Sequence, residues 1–200
     1  MSPMTVLSIR MIGDPVLRTP ATPVPAVDES IRELIAEMFE TMDAVAGIGL
    51  AAPQVGVSRR IFTFDVAGVR GAVVNPELTL RGESRFTARA PERGEAEGEN
   101  LLREGCLSVA EIYAPVVRAQ QVTLTGTDAE GEELTMEANG LLAACFQHEV
   151  DHLDGRLFVD RLTGQDKVTA FRALRSRDYG QAIDQTRGSR TSRHSSFFAS

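Results

Sequence analysis

The pentapeptide His148-Glu149-Val150-Asp151-His152 limits this chain's folding options more than any other stretch, because two imidazoles four residues apart share a face only on a helix. On that helix both rings can meet one cation, while Glu149 stands beside them and can reach a water on the cation without being a ligand. Leu141, Leu142, Cys145, Phe146 and Leu153 flank the motif at helical positions, and Gly155 is placed to stop the turn. The plain alternative is a core helix with incidental histidines, so a third ligand has to be found.

Around this helix the pattern predicts one domain. Ser30 with Glu33 reads as a capping box opening a helix that carries Ile31, Leu34, Ile35, Met38, Phe39, Met42 and Val45 and closes at Gly47. A Gly-rich run, Gly47-Ile48-Gly49-Leu50-Ala51-Ala52-Pro53-Gln54, follows. Arg60 to Val66 and Ala72-Val73-Val74 read as strands, and residues 81–103 as a mobile surface loop. Val116-Val117 and Val122-Thr123-Leu124 lead into the turn Asp128-Ala129-Glu130-Gly131, with Leu134 and Met136 returning as the hairpin partner. These elements predict an α+β fold, mostly antiparallel sheets around the central motif helix. The predicted organisation is a catalytic domain over 1–164, a helix over 165–178 and a disordered tail over 179–200.

Two histidines leave a catalytic site one protein ligand short. His194 lies in the tail. The position six residues after His152, where one protease class places a third histidine, is Phe158, and no glutamate follows Glu149 to complete a thermolysin-like set. An aspartate such as Asp160 or Asp178 remains, as does Cys106 in Glu104-Gly105-Cys106-Leu107-Ser108. As a thiolate beside a glycine that admits close backbone approach, Cys106 is the better candidate.

Three segments now stand in order: G-φ-G-φ-A-A-x-Q at Gly47–Gln54, E-G-C-φ-S at Glu104–Ser108 and H-E-φ-D-H at His148–His152, where φ is an apolar residue. Together they resemble the bacterial peptide deformylase family, and Val16-Leu17-Arg18, Asn75-Pro76, Arg118 and Gly140-Leu141-Leu142 extend the likeness over roughly residues 5–162. The resemblance implies removal of the formyl group from N-terminal formylmethionine of new polypeptides. It implies a divalent metal, Fe(II) first and Zn(II), Ni(II) or Co(II) as substitutes, on Cys106, His148 and His152. It further implies Glu149 as acid/base, and Gln54 with the Leu107 backbone N–H as oxyanion donors. Ile48, Gly49, Leu141, Ala144 and Cys145 would border the substrate, and Glu104 with Arg118 would form a supporting ion pair.

Against that pattern, Ala110 and Glu111 stand where the family commonly has Pro followed by Gly or Glu, which would loosen the rim holding the substrate backbone. The formal net charge of −7 argues against a domain-wide nucleic-acid surface, so no DNA partner is expected. The six arginines and two acidic residues after Ala170 leave ribosome contact as an expectation. Neither an export segment nor a membrane span is legible, and two cysteines suit a reducing cytoplasm. The rival readings are a zinc endopeptidase with an aspartate ligand and an inactive binding protein of the same fold.

Overall fold

The computed structural model describes residues 6–86, 103–176, 178–189 and 198–199. Helix α1 (Glu29–Ala44) is capped by Asp28, whose carboxylate accepts the Ile31 N–H at 3.0 Å. The expected Ser30/Glu33 box does not form, because Ser30 already lies in the first turn and donates its hydroxyl to Asp28 at 2.7 Å. At the other end Ala46 takes a left-handed φ of 51° and donates to Asp43 O, while Gly47 donates to Met42 O. That double closure is a Schellman motif with alanine, not Gly47, at the left-handed position.

Strands β1 (Gly49–Ala51), β2 (Ile61–Val66) and β3 (Val69–Phe86) pair antiparallel in sequence. β4 (Arg103–Cys106) and β5 (Val109–Pro115) form a hairpin in a second sheet, and β6 (Val117–Thr127) pairs with both β3 and β7 (Glu133–Asn139). The larger sheet runs β1-β2-β3-β6-β7. Every pairing between these named strands is antiparallel, in keeping with the expected α+β class. β3 bends at Asn75-Pro76, where the register slips and the Asn75 amide exchanges two hydrogen bonds with the Val24 backbone, both 2.8 Å. Proline is tolerated there because the ladder is already interrupted.

Helix α2 (Gly140–Leu153) carries the pentapeptide and buries 10 of its 14 residues, so it is the centre of the molecule and not a surface helix. Phe146 seats it on the larger sheet, with ring centroids 5.8 Å from Phe62 and 4.9 Å from Phe64. α3 (Gly164–Leu174) follows, close to the predicted helix. No helix among the described residues is long and apolar enough to cross a membrane.

Two expectations are corrected. Residues 81–86 belong to β3 and pair with Val117–Gln121, because backbone hydrogen bonds extend a strand regardless of its polar side chains; the rest of the expected loop, 87–102, lies outside the described residues. The expected disordered tail begins instead as helix α4 (Tyr179–Ser189). Tyr179, Ala182 and Ile183 stand at i, i+3 and i+4 and pack into a cluster with Val109, Ala110 and Ile112 of β5. Ala110 is therefore a core residue under α4. A two-residue strand, β8 (Phe198–Ala199), pairs with Arg103 and Glu104 of β4.

Candidate metal centre

Three elements bring the site together. α2 supplies His148 and His152, one turn apart with rings 5.0 Å between centroids, and the end of β4 supplies Cys106. The Sγ of Cys106 lies 3.2 Å from Nε2 of His152, and ligand atoms of Cys106, His148 and His152 all fall within 4.8 Å of one another. All three side chains are buried. This is the one such cluster among the described residues. One thiolate and two imidazoles at these separations are a donor set that would hold a borderline divalent cation. Of the aspartate alternatives, Asp160 is engaged elsewhere by Arg18 and the Leu157 N–H, and Asp178 is not in the cluster.

Protonation is set by burial. It pushes the His152 imidazole well below its ordinary value, with His148 adding to the effect, so the ring is neutral and its lone pair is available. Burial also drives the Cys145 thiol well up, assisted by Glu149, which marks that cysteine as an inert packing group whose Sγ rests 3.6 Å from Ile48 O. Glu149 is buried with no hydrogen bond to either carboxylate oxygen. Burial, then the negative Glu104, raise its carboxyl well above the usual range. A carboxyl so placed is prepared to hold a proton.

Behind the ligands lies a chain of charges. The Nδ1 of His148 meets Glu104 Oε2 at 3.0 Å, and the Arg118 guanidinium forks onto both Glu104 oxygens at 2.7 and 2.8 Å. Burial pushes the Glu104 carboxyl up, but Arg118 and then His148 pull harder and leave it at about 2, ionised throughout. The expected Glu104–Arg118 pair is thus present in the geometry, and it touches a histidine directly. Sequence reasoning missed Asp151, which accepts from Arg118 Nη1 at 2.7 Å and from Arg161, and Gln147, which fixes α2 to both backbone groups of Ala119 at 2.9 Å. Asp151 carried a signal, being three residues from His148 on the same helix face. Arg161 carried none.

On the other side, Gln54 sits in a short 3-10 turn (Ala52–Val55), fully buried. Its carbonyl oxygen accepts the Ala51 N–H at 2.8 Å, which orients the amide NH2 toward Cys106 Sγ at 3.7 Å and Ser108 Oγ at 3.4 Å. Leu107 and Ser108 form the turn between β4 and β5 beside Cys106, and Ser108 N–H donates to the Cys106 sulfur at 3.4 Å. The N-terminal segment ties both pieces together, Arg10 N–H bonding Gln54 O at 2.7 Å and Ile12 N–H bonding Ser108 O at 2.8 Å. Gly49 lies so close to Glu149 that a Cβ there would stand 2.3 Å from Glu149 Oε1. Ala144 is buried, and Ile48 and Leu141 are half-buried against the core that holds Phe146.

This arrangement is shared with known proteins. Residues 6–168 match the family model for polypeptide deformylase. A peptide deformylase of Acidothermus cellulolyticus is 45% identical over 181 residues, covering 90% of this chain and 92% of that protein. Among solved structures, a peptide deformylase from Legionella pneumophila superposes with a TM-score of 0.74 at 37% identity, covering 90% of this chain and 98% of its own. One from Synechococcus elongatus, solved in complex with actinonin, gives a TM-score of 0.71 at 33% identity, covering 93% and 88%.

Proposed function

The chain belongs to the polypeptide deformylase family, metal-dependent hydrolases that remove the N-formyl group from newly made polypeptides, and from that premise we propose how its residues divide the work. Cys106, His148 and His152 hold the divalent ion. The observation that carries the reading is their convergence beside Glu149, a buried carboxyl with both oxygens unbonded.

The ion supplies Lewis acidity, lowering the pKa of water toward neutrality and polarising the formyl carbonyl. Glu149 takes the proton from the attacking water and delivers it to the leaving amine, a transfer suited to a carboxyl whose affinity for protons is raised. The Gln54 amide and the Leu107 N–H donate to the formyl oxygen as charge develops on it; loss of such a donor costs about a hundredfold or more in rate. Gly49 lines the cleft with its backbone, since no side chain fits between it and Glu149. Ile48, Leu141, Ala144 and Cys145 border the methionine side chain.

Fe(II) is the proposed physiological ion, with Zn(II), Ni(II) or Co(II) accepted by the same mixed sulfur and nitrogen donors. The proposed place of action is the cytoplasm, where nascent chains emerge and both thiols stay reduced. Ribosome contact is assigned to the chain end that carries Arg190 and Arg193, and truncation after Ser189, which spares α4, should weaken co-sedimentation with ribosomes. Unchanged co-sedimentation removes that part.

The deciding assay purifies the protein without oxygen, determines its metal, and follows formate release from a formyl-Met peptide for wild type, Glu149→Ala and Cys106→Ser. Both variants should lose activity, and Cys106→Ser should also lose metal. Undiminished release by Glu149→Ala refutes the proposed role. Internal peptide cleavage indifferent to Cys106→Ser would mark an endopeptidase instead.

A further inference from the structure

We infer that Asp151 and Arg161 are positioning residues for the metal centre, fixing Arg118 and, through Glu104, the orientation of His148. The inference rests on His148 being a ligand, as proposed above.

Four elements contribute to one chain of contacts: Glu104 from β4, Arg118 from β6, Asp151 from α2 and Arg161 from the 3-10 turn Phe158–Arg161. Arg118 spends its Nε and Nη2 on the two oxygens of Glu104. That fork alone leaves the guanidinium free to rock about the shared edge. Asp151 removes the freedom by accepting from Nη1 at 2.7 Å, so three nitrogens are held from two sides. Arg161 closes the far side of Asp151, its Nε meeting Oδ2 at 3.0 Å and its Nη2 meeting Oδ1.

Charge gives the same conclusion independently. Glu104, Arg118 and Asp151 are all at most 4% exposed in their side chains and together carry one net negative charge. Arg161, with 42% of its side chain exposed, brings the sum to zero and is the only member that reaches solvent freely. An ion group this deep persists only when each charge is paired, so losing one member loosens the others. At the inner end the consequence falls on His148, because Glu104 Oε2 is shared between Arg118 Nη2 and His148 Nδ1. A carboxylate held in place selects the tautomer with hydrogen on Nδ1 and leaves Nε2 for the ion.

The test measures zinc loss from zinc-loaded full-length protein to an excess chelator. Asp151→Asn should release zinc about 10–100-fold faster, the range seen when such supporting contacts are removed. Arg161→Met should release it several-fold faster, and the double variant no faster than Asp151→Asn, since Arg161 acts through Asp151. Arg161→Lys, which keeps charge but not the fork, should recover only part of the loss. Thermal unfolding supplies the control: the variants should lower the midpoint of the zinc-loaded protein more than that of the zinc-free protein. Wild-type release rates in the variants, or equal destabilisation with and without zinc, overturn the inference. Should Asp151→Asn fail to fold, the half-exposed Arg161→Met decides alone. If wild type itself binds no stoichiometric zinc, the ligand assignment fails instead, and the two failures are distinct.

Discussion

Gly49→Ala presses on the Glu149 carboxylate more closely than on any other side chain of the site. Gly49 lies in β1 opposite Phe64 and is not among the left-handed glycines, so alanine suits its backbone. The added methyl meets Glu149 Oε1 at 2.3 Å, its Cδ at 2.9 Å and Cys145 Sγ at 3.0 Å. Ordinary contact begins near 3.4 Å, so the carboxylate must retreat by about 1 Å, the difference between 3.4 and 2.3. A reacting group misplaced by that much costs about a hundredfold in kcat, or roughly 2.7 kcal/mol in the barrier. Overpacking should cost a further 1–3 kcal/mol or so in stability, which leaves most of a folded domain standing. The three atoms nearest the new methyl belong to Glu149 and Cys145 and not to a proposed ligand, so metal content should match wild type. Formate release, metal analysis and thermal unfolding on one preparation separate these effects. Cys145→Ala added to Gly49→Ala should not rescue activity, because the contact with Glu149 is the shorter one. A kcat within a fewfold of wild type would mean that the β1 backbone yields instead of the carboxylate, and the steric reasoning would be wrong.

Phe146→Ala should lower unfolding free energy by about 3–5 kcal/mol, since it empties the space against Phe62 and Phe64; a denaturant titration giving under about 1 kcal/mol contradicts that packing role. Burial pushes the Tyr179 hydroxyl up to about 12, so the folded chain keeps its proton where the unfolded chain, near 10, has lost it. Stability from this group is therefore intact below pH 10 and declines between pH 10 and 12; Tyr179→Phe should flatten that decline, and identical slopes in the two proteins reject the cause. Chelation should abolish formate release and lower the unfolding midpoint: an ion at a thousandfold over its Kd contributes about 4 kcal/mol, or roughly 8–16 °C for a chain of this length. Adding back a divalent ion should restore both in wild type but not in Cys106→Ser, and full restoration in that variant would remove Cys106 from the ligand set.

The central helix, the hairpin around Gly131 and the convergence of Cys106 with both histidines were legible because each follows from local spacing plus one missing ligand. What failed was decided by relations between distant segments. The backbone of β6 carries β3 through Arg81–Phe86, although no apolar period marks those residues. α4 forms where Gly, Ser and Arg suggest disorder because three residues, Tyr179, Ala182 and Ile183, find a prepared surface on β5. Composition averages over a stretch, whereas docking needs only one stripe. Ser30 was misread for a related reason, since Asp28 competes for the same cap and its carboxylate is the stronger acceptor.

Phe158 shows why the cysteine, and not a third histidine, completes this site. It occupies the position six residues after His152, and its ring stacks on His148 at 6.2 Å between centroids with 24° between planes. The chain after α2 thus returns to the metal centre, as it would in a protease of the three-histidine type, but it brings packing. Arg161, three residues further along the same turn, brings charge to Asp151. The third ligand is left to β4, which brings Glu104 to His148 and Cys106 to His152, even though its pairing with β5 shifts register between the two. The strand thereby supplies both a ligand and the carboxylate that orients His148. A single-residue slip of β4 would turn both away at once. The close hairpin of β4 with β5, anchored at Cys106 opposite Val109, is thus as much a condition of the metal centre as the helix motif itself.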